Sequence, residues 1–399
     1  MDQREFIQRR GGPVRRPSRH KRPPRLLWVI LALVIVAVIV IVVVKLVRRP
    51  KDPGEANSIS PPVSGPASSL ESAPAESAAE TPTPEPVTAS QTAPASPPED
   101  RGGFLTADGV GYESYKFDEE TTNNYILAVN DAANALPSGV TLYDMIVPTS
   151  MDVLLPESYL TENNVSSSDQ RKAIDSYIYP SITAMNAGVK TVPLFSALLQ
   201  HCSEPIYYRT DRTWTQLGGY YAYVEFCKAK GLQATALDQF TKTEYSGFLG
   251  GFYTSSQDYN MQAAPDTVAA YTTDANTSLT FTDQNGAISE NWSVISDGIG
   301  YDSSYLYLIF AAGDQPYKVL NNADLSDGSA CVVVQDSFGN YFIPFLTQHY
   351  QNVYVVDYRF YSGSVPQLAS DMGATDVILL SSVTATSDST SVNAIASLF

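Results

Sequence analysis

The stretch ACVVVQDSFGNYFIPFLTQHYQNVYVVD, residues 330–357, decides the fold. It opens with a short, β-branched apolar run, the pattern of a strand buried on both faces. A polar turn follows, Asp336-Ser337-Phe338-Gly339-Asn340, and then apolar residues at helical spacing over Phe338–Tyr350. Val353–Asp357 predicts a second strand. The pattern continues as helix Val365–Met372, strand Asp376–Leu380 and a terminal helix. Strands alternating with helices need crossover connections, so the fold class is α/β with a mostly parallel sheet.

Working outward, residues 118–136 predict a helix with Tyr125, Val129, Ala132 and Leu136 on one face, stopped by Pro137 and Gly139. Val140–Pro148 predicts a buried strand. Residues 168–187 predict a helix ended by Gly188, and Thr215–Lys230 another ended by Gly231. Residues 245–330 are polar and Gly-rich, and predict short strands and loops. No internal repeat is present.

The 399 residues carry their charge unevenly. Residues 1–51 have a balance of +11, residues 52–100 of −8, and residues 101–399 of −20. An acidic body repels a phosphate backbone, so nucleic acid is not an expected partner. The 3 cysteines form no metal-binding spacing and cannot all pair within one chain, so neither a disulfide scaffold nor a structural metal is expected.

Leu26–Val44 is a run of 19 apolar residues. At 1.5 Å per residue it spans about 28 Å, the thickness of a bilayer core. It predicts one transmembrane helix, placed at 26–47, with Trp28 at the interface. The 9 Lys/Arg before it exceed those just after it, which predicts an inside N-terminus (tail 1–25) and an outside C-terminus. A signal peptide is the rival reading, weakened by the length of the run and the lack of a small-residue cleavage site. Residues 48–101 form a linker whose 52–100 portion holds 11 prolines and no aromatic residue. Such a segment buries too little apolar surface to offset its ordering entropy and is expected to be disordered. The head is then 102–399.

Chemistry is expected at the carboxyl ends of the strands. Ser337 follows one such end and precedes a helix, where free N–H groups favour developing negative charge. A helix cap by Asp336 or Ser337 is the plainer account of the same pattern. The second segment is YYRTDRTWTQLGGYYAY, residues 207–223, with Asp211 and Trp214 just before a helix. There too, capping by Asp211 or Thr215 is the plainer account. The 25 tyrosines suit an ordinary core and surface, and also a carbohydrate-stacking cleft.

Taken together, the two segments resemble the Asp-His-His-Trp (DHHW) proteins of bacterial cell surfaces, within the SGNH-hydrolase-like group that includes alginate O-acetyltransferase-type enzymes. The matching elements are VPTSMDVLLPESYL (147–160), IYYRTDRTWTQLGGYYAY (206–223), GFLGGFY (247–253), QDSFGNYFIPFLTQHYQNVYVVDYRFY (335–361) and TDVILL (375–380). The resemblance implies a three-layer SGNH-like head. It implies Asp211 as the group that orients a histidine, and Ser337 as a nucleophile for acyl transfer or deacylation of a cell-surface polysaccharide. Gly339 and Asn340 become neighbours of an oxyanion site. No cofactor is implied.

The departure from the family motif is informative. Asp-His-His-Trp reads Asp211-Arg212-Thr213-Trp214 here. Serine is a weak nucleophile without an adjacent base, and neither arginine nor threonine can act as one. His20 precedes the membrane run. His349 lies about 18 Å along a helix from Ser337 if one helix joins them. His201 is left as candidate base, although a surface or strand-edge histidine beside Cys202 explains it better. The first reading is therefore a catalytically impaired head that binds envelope glycan through Arg212, Thr213, Trp214, Asp336, Gly339 and Asn340. An active O-acetyltransferase or esterase using Ser337, and a purely structural envelope protein, are the alternatives. Arg212 is further expected to form an ion pair with Asp211. Oligomeric state is not legible.

Overall fold

A computed structural model describes residues 90–166 and 168–399. The apolar run at 26–44, His20 and most of the linker lie outside the described residues. Among the described residues no helix is long and apolar enough to cross a membrane. The head takes in residues 90–101, which composition places in the linker. Gln91 donates to the Asp152 and Val153 carbonyls, both at 3.0 Å, and the Tyr159 hydroxyl donates to the Ser96 carbonyl at 2.7 Å. Glu99–Asp100 (β1) pairs with Phe104–Ala107 (β2), and β2 with Val110–Glu113 (β3), as an antiparallel sheet.

The main sheet has 8 strands. In chain order they are Thr141–Val147 (β4), Lys190–Thr191 (β5), Thr277–Thr282 (β8), Ile288–Trp292 (β9), Tyr317–Asn322 (β10), Ala330–Gln335 (β11), Asn352–Asp357 (β12) and Asp376–Ser382 (β13). A separate pair joins Thr241–Phe248 (β6) to Asp266–Thr272 (β7). The spatial order is β5-β4-β13-β11-β12-β10-β8-β9. The five strands from β5 to β12 are parallel. β10, β8 and β9 then continue the sheet antiparallel. The expected parallel sheet thus forms one half, and the polar 245–330 region supplies the antiparallel half.

The parallel strands read as continuous apolar runs because both of their faces are covered. Cys331 and Val333 of β11 face one core with Ile378 and Leu380 of β13; Val332, Val334, Val377 and Leu379 face the other. Helices Glu119–Ala135, Tyr179–Met185 and Ser389–Ala396 cover the second face. Helices Gln216–Lys230 and Gly339–Leu346 cover the first.

Local rules set the helix ends. The Asp118 carboxylate accepts from Thr121 N and starts the first of these helices. Gly231, at φ 79°, ends Gln216–Lys230 in the left-handed region that a side chain disfavours. The helix after Ser337 stops at Leu346, short of the expected Tyr350, and contains Pro344. Proline has no N–H to give to the preceding turn, which weakens the helix there.

Candidate active site

Strand register builds the site. β11 and β12 are parallel with Gln335 opposite Asp357. Continuing both chains by two residues brings Ser337 opposite Arg359. β10 and β12 are antiparallel with Tyr317 opposite Val356. Continuing these past the strand ends brings Asp314 toward Arg359. Three residues far apart in sequence therefore converge where β10, β11 and β12 meet.

The contacts bear this out. Ser337 Oγ donates to Asp314 Oδ2 at 2.7 Å. Arg359 Nη1 donates to Ser337 Oγ at 3.1 Å. Arg359 Nη2 pairs with Asp314 Oδ2 at 3.0 Å. The same guanidinium forks onto Asp357, with Nε to Oδ1 at 2.9 Å and Nη2 to Oδ2 at 2.6 Å. Asn340 Nδ2 donates to Asp314 Oδ1 at 2.7 Å. Behind Asn340, its Oδ1 accepts from the Lys318 ammonium and from Gln335 Nε2. Lys318 also donates to the Gly313 carbonyl at 2.7 Å.

Burial and charge compete in this network. Burial by itself raises the Asp314 carboxyl. Arg359, the Ser337 and Asn340 hydrogen bonds and the Lys318 charge outweigh it, holding the acid below its usual value. Asp357 stays raised by burial despite its bonds to Arg359. Lys318 is fully buried and pushed down to about 8. Ser337 therefore gives its proton to a carboxylate that is a poor base.

Asp336, beside it, is buried and committed to structure. Its Oδ2 accepts from Ser382 N at 2.8 Å and its Oδ1 from Phe338 N at 3.0 Å. Burial pushes it up to about 6 against those bonds. Gly339 makes room for Gln335. A Cβ there would lie 2.5 Å from Gln335 Cδ. Asn340 donates to Asp314 and Gly339 packs on Gln335, so both position the loop around Ser337.

The Asp211–Trp214 segment does meet the serine turn. Trp214 is fully buried, and its Nε1 donates to the Phe338 carbonyl at 2.8 Å. Thr213 Oγ1 donates to Asp211 Oδ1 at 2.9 Å and lies 3.3 Å from the Tyr341 hydroxyl. Asp211 accepts from Thr213 N at 3.0 Å and from Gly251 N at 2.6 Å. The close approach of Gly250 explains the glycine pair there, since a Cβ would lie 2.7 Å from Asp211 Cγ.

Two expectations are corrected. Arg212 makes no ion pair with Asp211. It points across to Glu113, with Nη1 3.4 Å from Oε1 and the side chain 54% exposed. Asp211 has satisfied its oxygens on backbone N–H groups instead, so it gains little from a cation. His201, the candidate base, is absent from the lining of the cleft that holds Ser337. Its Nδ1 lies 2.6 Å from Glu204 Oε1, and its ring stacks on Tyr221 at 3.5 Å. His349 is occupied on Tyr223 and near Cys227.

Ser337, Thr213, Arg212, Asp336, Phe338 and Arg359 line a cleft of about 390 Å³. Its other walls include Tyr358, Ser382, Thr384, Asp388 and Ser391, with Glu113 at one side. Burial pushes Glu113 up to about 7 against the pull of Arg212, helped by the Asp211 and Asp336 charges. Glu113, Asp314, Lys318 and Arg359 were missed from sequence. Arg359 carried a usable signal, two residues past a predicted strand end. The other three had none. Among the described residues no group of His, Cys, Asp and Glu forms a metal cluster.

A family model described as DHHW protein matches residues 72–356, more than half of the chain. The chain belongs to the DHHW family. A DHHW family protein from Eubacterium siraeum shares 26% identity, covering 74% of this chain and 95% of that one, with a TM-score of 0.64. Bacillus cereus PatB1, solved with a sulfonyl adduct, shares 18% identity over 72% of this chain and 94% of its own, with a TM-score of 0.56. At that identity the PatB1 likeness speaks for the fold. No curated protein sequence matches the chain.

Proposed function

We propose that this DHHW protein is a membrane-anchored cell-surface protein, its head outside, whose Ser337 cleft binds envelope glycan without efficient acyl-transfer catalysis. One observation carries the reading. The Ser337 hydroxyl lies between Asp314 and Arg359, and neither His201 nor His349 is among the residues that line its cleft. A serine without a general base keeps only binding and oxyanion contributions to rate. The cleft itself is furnished for sugar hydroxyls by Ser337, Thr384, Ser391 and Arg212. The apolar run at 26–44 supports the anchor, and the excess of Lys/Arg before it supports the orientation.

The test pairs two measurements on the full chain purified in detergent. Hydrolysis of a small acetyl ester and acetyl transfer to a β-linked glycan should stay at the level of Ser337→Ala. Binding to isolated cell-wall glycan should be saturable. Turnover well above the Ser337→Ala variant sinks the reading.

A second reading, an active esterase or O-acetyltransferase, is favoured by Glu113. Its carboxyl lines the same cleft and is pushed up to about 7, a value suited to proton exchange near neutral pH. On this reading Glu113→Gln removes the Ser337-dependent turnover.

A further inference from the structure

Next to the Ser337 cleft lies a second concavity of about 310 Å³, lined by Thr282, Pro316, Tyr317, Phe360, Tyr361 and Ser362. The Tyr317 and Tyr361 rings stack with centroids 6.1 Å apart and planes at 25°. Phe360 is 42% exposed. Tyr354 is near them: with Tyr317 opposite Val356 and Val319 opposite Tyr354, both tyrosines point to the same sheet face. Among the described residues no hydrogen bond is made by the phenol oxygens of Tyr317, Tyr354 or Tyr361. Burial and the neighbouring phenols push Tyr317 up to about 12, so it remains a donor.

The two concavities are lined by different residues that adjoin in the chain, Tyr358 and Arg359 in the first and Phe360 and Tyr361 in the second. Asp314, which accepts the Ser337 hydrogen bond, is followed by Pro316 and Tyr317. Arg359, which donates to Ser337, is followed by Phe360 and Tyr361. The Arg359 guanidinium itself lies over the Phe360 ring at 5.2 Å. Arg359, at the edge of the Ser337 cleft, is therefore in contact with the aromatic group that lines the second concavity.

We propose that Tyr317, Phe360 and Tyr361 form a second subsite that stacks a pyranose ring of a β-linked glycan whose preceding two residues occupy the Ser337 cleft. The inference rests on the glycan reading of that cleft. A β-linked pyranose with equatorial substituents offers a flat C–H face to an aromatic ring, and its rim hydroxyls suit unpaired phenols. The two loops set the ligand as an extended chain, because a single ring fills only one concavity.

The probes are the dimer and tetramer of β-1,4-linked N-acetylglucosamine, titrated calorimetrically into the full chain. The wild type is expected to bind the tetramer about ten-fold tighter than the dimer. Phe360→Ala and Tyr361→Ala abolish that preference and leave dimer affinity unchanged, while Tyr361→Phe keeps most of it. Thr384→Trp, which fills the Ser337 cleft, weakens both lengths. Phe360 is exposed, so its variant folds even if Tyr361→Ala does not. If both alanine variants keep the tetramer preference while Thr384→Trp weakens binding, the subsite is refuted and the cleft reading stands. Equal wild-type affinity for both lengths also refutes the subsite. If the wild type binds neither probe nor isolated wall glycan, both readings fall.

Discussion

Ser337 and Asp314 stand 23 residues apart in sequence and share a hydrogen bond of 2.7 Å. The serine donates, and the acceptor is a carboxylate that Arg359 holds ionised. In a serine hydrolase the same hydroxyl faces an imidazole that accepts the proton near neutral pH. Here the proton has an acceptor that is tied down by a cation, an amide and a buried lysine. On the proposed reading, Ser337 keeps its place at the strand end without a group that would activate it.

Thr213, at the position that the resemblance gives to the motif's second histidine, is bonded to Asp211 and lines the Ser337 cleft. Thr213→His should therefore gain a base already oriented by Asp211. We expect hydrolysis of a small acetyl ester to rise by about 10²-fold or more. The gain should vanish in Thr213→His combined with Ser337→Ala. No gain in a folded variant means that the missing imidazole is not what silences the serine.

Arg359 is the cation between Asp357, whose side chain has no exposure, and Asp314. Arg359→Leu leaves both carboxylates unpaired, which costs on the order of 3 kcal/mol in urea unfolding. Arg359→Lys should recover only part, because an ammonium cannot fork onto Asp357 while reaching Ser337. A loss of about 0.5 kcal/mol or less would mark the pair as an ordinary surface contact.

Asp144 is fully buried on β4, bonded to the Tyr125 hydroxyl at 2.6 Å, and pushed up to about 7. The folded state keeps a proton that the unfolded chain releases near pH 4. Its stabilising contribution is therefore full below about pH 4 and is lost as pH rises toward 7. Asp144→Asn stays neutral throughout. The urea midpoint of the variant relative to wild type should climb between pH 4.5 and 7.5. Comparing the two chains cancels the contributions of Glu113 and Asp336, which titrate in the same window. Parallel profiles would show that Asp144 carries no proton at neutral pH.

Gly339 lies against the Gln335 side chain, where a Cβ would lie 2.6 Å from Gln335 Cβ and 2.5 Å from its Cδ. Gly339→Ala must displace Gln335, and with it the bond to Asn340 that helps hold Asp314. We expect a loss of about 1–3 kcal/mol in thermal or urea unfolding. A neutral substitution would mean that Gln335 repacks freely.

The helix Glu119–Ala135 and strands β4, β11, β12 and β13 were legible because a buried parallel strand and an amphipathic helix write their periodicity into adjacent residues. In the antiparallel half, short strands were expected over 245–330 but their places were not legible: β8 and β10 alternate buried with half-buried residues, and β10 buries the polar Lys318 and Asn322, so no continuous apolar run marks them. The ordered segment at 90–101 was hidden for a related reason. Its proline-rich composition says little about Gln91 and Ser96, which are held by residues of the head. At the site, the sequence singled out Ser337, Asp211 and Trp214, since each sits beside a helix start. It gave no sign of Asp314, Lys318 or Glu113, because each lies on a different element and acquires its role only from a neighbour across the sheet or hairpin.

The amino-acid order alone determined the strand-turn-helix that carries Ser337, the family resemblance, and the presence of Arg212-Thr213 between Asp211 and Trp214. These are properties of residues close together in the chain. Only the folded chain decided who receives the serine proton and where Arg212 points. Strand register brings Asp314 and Arg359 to Ser337, and backbone N–H groups satisfy Asp211 before any cation is needed. Register and hydrogen-bond satisfaction are set by long-range pairing, which no local pattern encodes.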